Sequence, residues 1–258
     1  MGYFKELFTY REMIAGLVHR ELRGKYKGSV LGFFWTFLNP LLQLLVYTLV
    51  FSVIMRNGIE KYYIYLFVAL VPWLFFSTSV NQGAVSVMVS ADMVKKIYFP
   101  REVLPIACVT AALVNMLLVF LVIFVVLLVT GFGMNLIAIF YLPVIIAVEY
   151  LLCLGIALLF SSLTVYLRDL SYILNVVTMA WQFLTPVMYS IDSVPERLRP
   201  IFNLNPMTPV ILAYRDILYF KKVPDLGTLV HATFLGIGTL VVGAVVFRHL
   251  QKGFAEEM

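Results

Sequence analysis

The segment Asp169-Leu-Ser-Tyr-Ile-Leu-Asn-Val-Val-Thr-Met-Ala-Trp-Gln-Phe-Leu-Thr-Pro-Val-Met-Tyr-Ser-Ile-Asp192 holds 22 uncharged residues between two aspartates. As helix it is long enough to cross the roughly 30 Å hydrocarbon layer of a bilayer. Ser171, Asn175, Thr178, Gln182, Thr185 and Tyr189 recur along it at steps of three and four, which places all six on one helix face. Lipid cannot satisfy these groups, so they are predicted either to hydrogen-bond to a neighbouring helix or to line a hydrated path. Six in register along the whole length favour the path. Neutral donors and acceptors suit a large hydroxyl-rich solute better than a bare ion, which needs carbonyl rings or charged side chains.

The rest of the chain agrees with a membrane setting. Hydrophobic residues make up 62% and charged residues 13%, against about 25% charged in soluble domains, and the mean hydropathy is +0.96. The charges are almost all confined to short segments, leaving runs that predict six spans near 30–55, 62–88, 105–130, 136–164 (continuing past Glu149), 170–190 and 227–247. The turn-like Thr130-Gly-Phe-Gly-Met-Asn135 separates the third from the fourth. The expectation is an all-α integral membrane protein, a single domain over 1–258 with a cytoplasmic segment at 1–27 and a six-span bundle from 28.

Six spans put both termini on one side. That side holds twelve of the nineteen basic residues, and five of the other seven (Arg197, Arg199, Arg215, Lys221, Lys222) fall in one long connection. Both termini are therefore predicted to be cytoplasmic. The net charge of +5 follows from this topology and calls for no nucleic-acid partner. The first apolar run is too long for a signal-peptide core and lacks a cleavage pattern, so none is expected to be removed.

Ahead of the first span, Tyr3, Leu7, Tyr10, Ile14 and Leu17 repeat every three or four residues, the pattern of an interfacial amphipathic helix that either anchors the chain or gates a path. Arg20, Arg23, Lys25 and Lys27 follow and could meet membrane lipid headgroups or an anionic substrate headgroup at the cytoplasmic face. Thr36, Asn39, Gln43 and Tyr47 form a second polar stripe in the first span, beside Trp35. Spans one and five thus read as lining helices, and a symmetric dimer would supply the four needed to close a wide path. Aromatics at the stripes, Trp35 and Trp181 among them, are candidates to stack on sugar rings or simply to pack against lipid. The third span, with only Thr110 and Asn115 polar, is expected to face lipid.

The loop between spans two and three carries Asp92, Met93, Lys95, Lys96, Ile97, Tyr98, Phe99, Pro100, Arg101 and Glu102. Ser90 or Asp92 can cap a short helix, Lys95 and Lys96 suit its C-terminal end, and Pro100 stops it. Met93, Ile97 and Phe99 are expected as exposed knobs for a partner's socket, although a loop lying on the membrane would also carry these charges. In the fifth connection, a capping box at Ser193-Val-Pro-Glu196 and Asn205-Pro206 predict two helices, the second running to about Phe220. Residues 200–214 are too few for a span, so the pair is expected to dip into the outer leaflet as a re-entrant lid, or to fold as an external hairpin.

Tyr26-Lys-Gly-Ser-Val-Leu-Gly32 running into Trp35 and Asn39-Pro-Leu41, then Lys95-Lys-Ile-Tyr-Phe-Pro-Arg-Glu102, Tyr166-Leu-Arg-Asp-Leu170, and Asn205-Pro-Met207 leading to Tyr214-Arg-Asp216 together resemble the membrane subunit of ABC-2-type polysaccharide exporters, the permeases for O-antigen, capsule and teichoic acid. The resemblance covers essentially the whole chain in order. It implies a homodimeric permease paired with two copies of a cassette ATPase that hold the ATP and magnesium. It makes Asp92 to Glu102 the loop that contacts them. It also implies a polysaccharide on polyprenyl diphosphate as the substrate, moved across the cytoplasmic (inner) membrane.

The residues agree with that division of labour. No phosphate-binding G-x-x-x-x-G-K-[S/T] loop is present, so ATP hydrolysis is expected on another polypeptide. His19, His231 and His249 are scattered and Cys108 and Cys153 sit singly, so neither a metal site nor catalytic residues are expected. Glu149, an acid within a span, is a functional candidate by default. A proton-coupled transporter would want a relay of such groups, and a membrane glycosyltransferase would want clustered acids where Asp92, Asp169 and Asp192 are separated. A drug or lipid exporter of the same fold is the nearer alternative.

Overall fold

The structure is a computed structural model that describes residues 8–24, 28–56 and 58–257. Tyr3, Leu7, Lys25 and Lys27 lie outside the described residues. The described residues contain helices and no strand. In chain order these are α1 (Arg11–Gly24), α2 (Trp35–Thr48), α3 (Tyr62–Val89), α4 (Ala91–Lys96), α5 (Val103–Val129), α6 (Leu136–Ile139), α7 (Leu142–Tyr166), α8 (Leu170–Phe183), α9 (Arg199–Leu204), α10 (Met207–Leu218), α11 (Leu226–Leu250) and α12 (Phe254–Glu257). A 3-10 turn at Gly32–Phe34 leads into α2, which ends in a π-helical stretch at Leu49–Ile54.

Among the described residues five helical stretches are long and apolar enough to cross a membrane: Gly32–Ile54, Tyr62–Val89, Val103–Val129, Leu136–Tyr166 and Leu226–Gly253. The chain is an integral membrane protein. α3 is the axial helix, mostly apolar without a single preferred face and buried along most of its length, as such a helix must be. It packs on α7, α5, α2, α8 and α10. α2 is its opposite, with few of its residues fully buried and one side, including Leu42, Leu45 and Val46, left exposed.

The tightest pairing is α7 with α11, where backbones approach closely because glycines face each other. A Cβ on Gly243 would overlap the carbonyl of Gly155, and one on Gly155 would overlap the backbone of Thr239 and Leu240. Without water to drive association, such close van der Waals contact is what holds membrane helices together.

The fifth predicted span is corrected. α8 stops at Phe183, and Leu184 to Ser190 is not helical. Pro186 has no N–H to donate and pushes Thr185 away from helical geometry. The freed carbonyls are met by side chains from elsewhere. Leu184 O accepts from Asn205 Nδ2 at 3.0 Å, Val187 O from Arg215 Nη2 at 2.6 Å and Met188 O from Tyr62 Oη at 2.7 Å. Tyr189 O accepts from both Arg215 Nη1 and Tyr65 Oη at 3.2 Å. Irregular backbone is tolerated at membrane depth only when buried and satisfied in this way.

The fifth connection also differs from its prediction. Ser193 and Glu196 form no capping box, because the helix beyond them, α9, begins only at Arg199. Asn205 does cap α10, its Oδ1 accepting from Met207 N at 3.0 Å. α10 is no surface lid: ten of its twelve residues are buried, Val210 completely. It lies against α11, α3, α7 and α6.

Candidate polar cleft and loop face

The α2 stripe opens onto a cleft of about 410 Å³. Thr36, Asn39 and Gln43 line it with Trp35, and across from them stand Thr78 of α3 and Asn115 of α5. Gln43 Nε2 donates to Asn39 Oδ1 at 3.0 Å, one turn away, and Trp35 Nε1 donates to Ser29 Oγ at 3.1 Å. No lining side chain is charged. Tyr47, the last member of the stripe, packs instead against the core. Such a wall offers many hydrogen bonds of about 0.5–1.5 kcal/mol net and no deep well for an ion.

A second hollow of about 620 Å³ adjoins it, roofed by α1 and walled by the ends of α3 and α5. Ala112 and Asn115 line both. The expectation that the third span only faces lipid is therefore corrected: the Asn115 side chain stands in the dividing wall, its Oδ1 buried without a hydrogen-bond partner among the described residues. Arg20 lies at the second hollow, exposed and 3.8 Å from Glu21, an ion pair worth little at the surface. Arg23 is exposed nearby on α1.

The α8 stripe turns the other way, into the protein. Ser171 Oγ donates to Arg168 O at 3.0 Å, and the exposed Asn175 donates to Ser171 O at 2.8 Å. Thr178 is buried, bonding to Leu174 O at 2.7 Å and reaching Asn81 Oδ1 at 3.5 Å. Trp181 Nε1 donates to Asn205 Oδ1 at 2.9 Å. Thr185 Oγ1 bonds to Trp181 O at 2.9 Å and accepts from Asn205 Nδ2 at 2.8 Å. Gln182 is half-buried, and Tyr189 Oη donates to Phe183 O at 2.5 Å. The exposed side of α8 is apolar, with Tyr172, Ile173, Val176 and Met179. Within one chain the α2 residues share the cleft, whereas none of its lining residues comes from α8.

Two groups of residues escaped the sequence reading. The run Ser77 to Gln82 gives α3 a polar side, with Thr78 in the first cleft, Gln82 in the second and Asn81 facing Thr178. Its polar residues are nearly consecutive, which hides them from a search for three-and-four spacing. Arg215, counted only as one of the basic residues of the long fifth connection, is 1% exposed, with its guanidinium 3.7 Å from the centre of the Tyr65 ring. Its neighbour Tyr214 donates to Glu149 Oε2 at 2.6 Å. Glu149 thus ties α7 to α10.

At the 90–102 loop, α4 forms as predicted, although Ser90 caps it without a side-chain hydrogen bond. Asp92, Lys95 and Lys96 are exposed and Met93 is half-buried. The chain turns extended at Ile97, well before Pro100. Ile97 is 56% and Tyr98 92% exposed. Phe99, expected as a knob, is corrected: it is 6% exposed, packed in a cluster with Leu17, Val94, Phe247 and Phe254. Arg101 donates to Gln251 O, and the buried Glu102 accepts from Gln251 Nε2 at 3.3 Å. The half-buried Pro100 completes the loop. Among the described residues no three His, Cys, Asp or Glu side chains are grouped to hold a metal ion.

Comparison with known proteins bears on both features. Residues 13–219 match the model of the ABC-2 type transporter family. The chain is 34% identical over 256 residues to the O-antigen export system permease protein RfbA of Myxococcus xanthus, covering 98% of each chain. It is 31% identical over 245 residues to the RfbA of Klebsiella pneumoniae, covering 95% of this chain and 94% of that one. The polysialic acid transport protein KpsM of Escherichia coli is 20% identical over 241 residues, 91% of this chain and 92% of its own. A family match over most of the chain and a relative above 30% identity along its whole length make the same assignment: the chain belongs to the ABC-2 type transporter family.

Proposed function

We propose that the chain is the permease subunit of an ATP-driven exporter that carries a lipid-linked polysaccharide of the O-antigen type across the cytoplasmic membrane. The uncharged polar cleft between α2, α3 and α5 carries the reading. It offers hydroxyl-rich cargo a series of weak hydrogen-bonding partners from Thr36, Asn39, Gln43, Thr78 and Asn115. The names of the full-length relatives point the same way. Hydrolysis of ATP, with its magnesium, belongs to a separate cassette subunit, two copies of which act on a homodimer of this chain through the 90–102 loop. This chain is then a transport subunit with no catalytic residues of its own.

Packing supports parts of a finer architecture, and the sequence the rest. α2 leaves Leu45, Val46, Val53 and Ile54 more than half exposed, and a second copy would cover such a face. α8, about 21 Å long at 1.5 Å per residue, crosses with the help of the pinned segment 184–190, making the sixth span. α9 and α10 re-enter from the outer side, both termini are cytoplasmic, and the six spans form one domain with α1 at the interface.

The test is a deletion of this permease in its own host. Polymer should accumulate inside, and surface polysaccharide should return only when the permease and its ATPase are both restored. Unchanged surface polysaccharide in the deletion strain, with altered drug resistance instead, would move the chain to the drug-exporter alternative.

A further inference from the structure

We infer that the ATPase interface has a second wall, made by the C-terminal end of the chain, and that the groove between this wall and the 90–102 loop seats an acidic segment of the ATP-binding subunit. The inference rests on the function proposed above and extends it to residues beyond the loop. The groove has a volume of about 630 Å³, with Ile97 and Tyr98 on one side and Arg248, Gln251 and Lys252 on the other.

The C-terminal wall is fixed rather than loose. Arg101 donates to Gln251 O and lies 5.5 Å from the centre of the Phe254 ring. Gln251 in turn holds Glu102, and Tyr166 Oη at the end of α7 donates to Leu250 O at 2.7 Å. Phe247 and Phe254 are fully buried beneath. A groove built this way is preorganised, so an occupant loses little free energy to ordering it.

Charge and shape select the occupant. Arg101, Arg248 and Lys252 line the groove, and its one acid, Glu102, is buried and engaged by Gln251. Lys95 and Lys96 continue the basic surface along α4. The exposed Ile97 and Tyr98 give it an apolar lip. A flat bilayer surface meets a concave groove poorly, whereas a protein projection bearing carboxylates and an apolar contact matches both its walls and its lip.

The experiment co-expresses the permease with its ATPase subunit, purifies by a tag on the permease and measures the ratio of the two across a salt series. The pair Arg248→Glu and Lys252→Glu should lower the ratio at least tenfold at about 0.15 M salt, where rim charges act over about 8 Å. Wild type should lose ATPase as salt rises, and the variant should show a flatter dependence. Arg248→Lys with Lys252→Arg should behave as wild type. Matching elution profiles and melting temperatures would show that the reversed pair still folds. If the reversed pair retains the ATPase while Ile97→Asp loses it, the second wall is refuted and the exporter reading stands. If wild type retains no ATPase, the exporter reading itself fails. If the reversed pair keeps its ATPase but is no longer stabilised against heat by phosphatidylglycerol, the groove is a lipid site and the inference is overturned.

Discussion

Replacing Arg215 by Met removes the side chain that holds the broken segment after α8. The guanidinium donates to Val187 O at 2.6 Å and Tyr189 O at 3.2 Å and stacks on Tyr65. Charge-assisted bonds contribute roughly 1.5–3 kcal/mol each and a desolvated cation–π contact about 2 kcal/mol. Against this, the variant no longer buries a charge, which costs several kcal/mol after relaxation. The balance is a local loss of about 2–4 kcal/mol, concentrated at residues 184–190 because Tyr62, Tyr65 and Asn205 still hold some of the carbonyls. Amide hydrogen exchange in detergent or nanodiscs reads this directly: 184–190 should exchange about 30- to 700-fold faster, while α7 and α11 stay protected. Arg215→Lys keeps one donor direction and loses the fork, so it should fall between. Wild-type protection of 184–190 in Arg215→Met would refute the argument, since the carbonyls would then be satisfied without the guanidinium.

At the loop, Phe99→Ala should destabilise the fold by about 3–5 kcal/mol through the cavity it leaves, whereas the exposed Tyr98→Ala should melt as wild type and lose ATPase in co-purification. Equal melting of the two would contradict the burial of Phe99. In the cleft, Asn39→Leu, Gln43→Leu or Thr78→Leu alone should slow export modestly, each removing about 0.5–1.5 kcal/mol of contact. The triple variant should nearly stop surface display of polymer without dissolving the dimer, and normal display would show that the cleft is not on the path. For the proposed re-entry, single cysteines at the exposed Ile201 and Leu204 should react with a membrane-impermeant thiol reagent applied from outside, whereas one at the buried Val210 should not. Labelling at 210 in every transport state would place α10 at the surface.

Hydropathy made the five long helices legible because nothing local competes with a run of twenty apolar residues. The boundary at Gly131 and Gly133 was equally plain, since both adopt positive φ in the turn between α5 and α6. The periodic stripe of 169–192 misled at its end: three-and-four spacing continues through Thr185 and Tyr189, but spacing is blind to Pro186 and to the side chains that reward a break there. Those side chains, Tyr62, Tyr65, Asn205 and Arg215, come from 20 or more residues away in sequence. Phe99 was misjudged for the same reason. The cluster that buries it includes Phe247 and Phe254 at the far end of the chain, and no local pattern announces that the tail returns to the loop. The cleft was half legible, with its α2 wall visible as a stripe and its α3 wall concealed in a run without helical period.

The glycine contact between α7 and α11 limits how this protein can move. With the Gly155 and Gly243 backbones touching, rotating or sliding one helix along the other would drive main chain into main chain, which no side-chain rearrangement can relieve. The two helices therefore behave as a single beam. Tyr166 ties the last turn of α7 to Leu250 at the end of α11, and Arg101 and Glu102 join the loop to Gln251 just beyond. A push at the 90–102 loop, where the proposed ATPase would act, is therefore expected to arrive as a tilt of the whole beam rather than a bend within it. On that expectation displacement falls on α2, the span with the smallest share of buried residues, at the wall bearing Asn39 and Gln43.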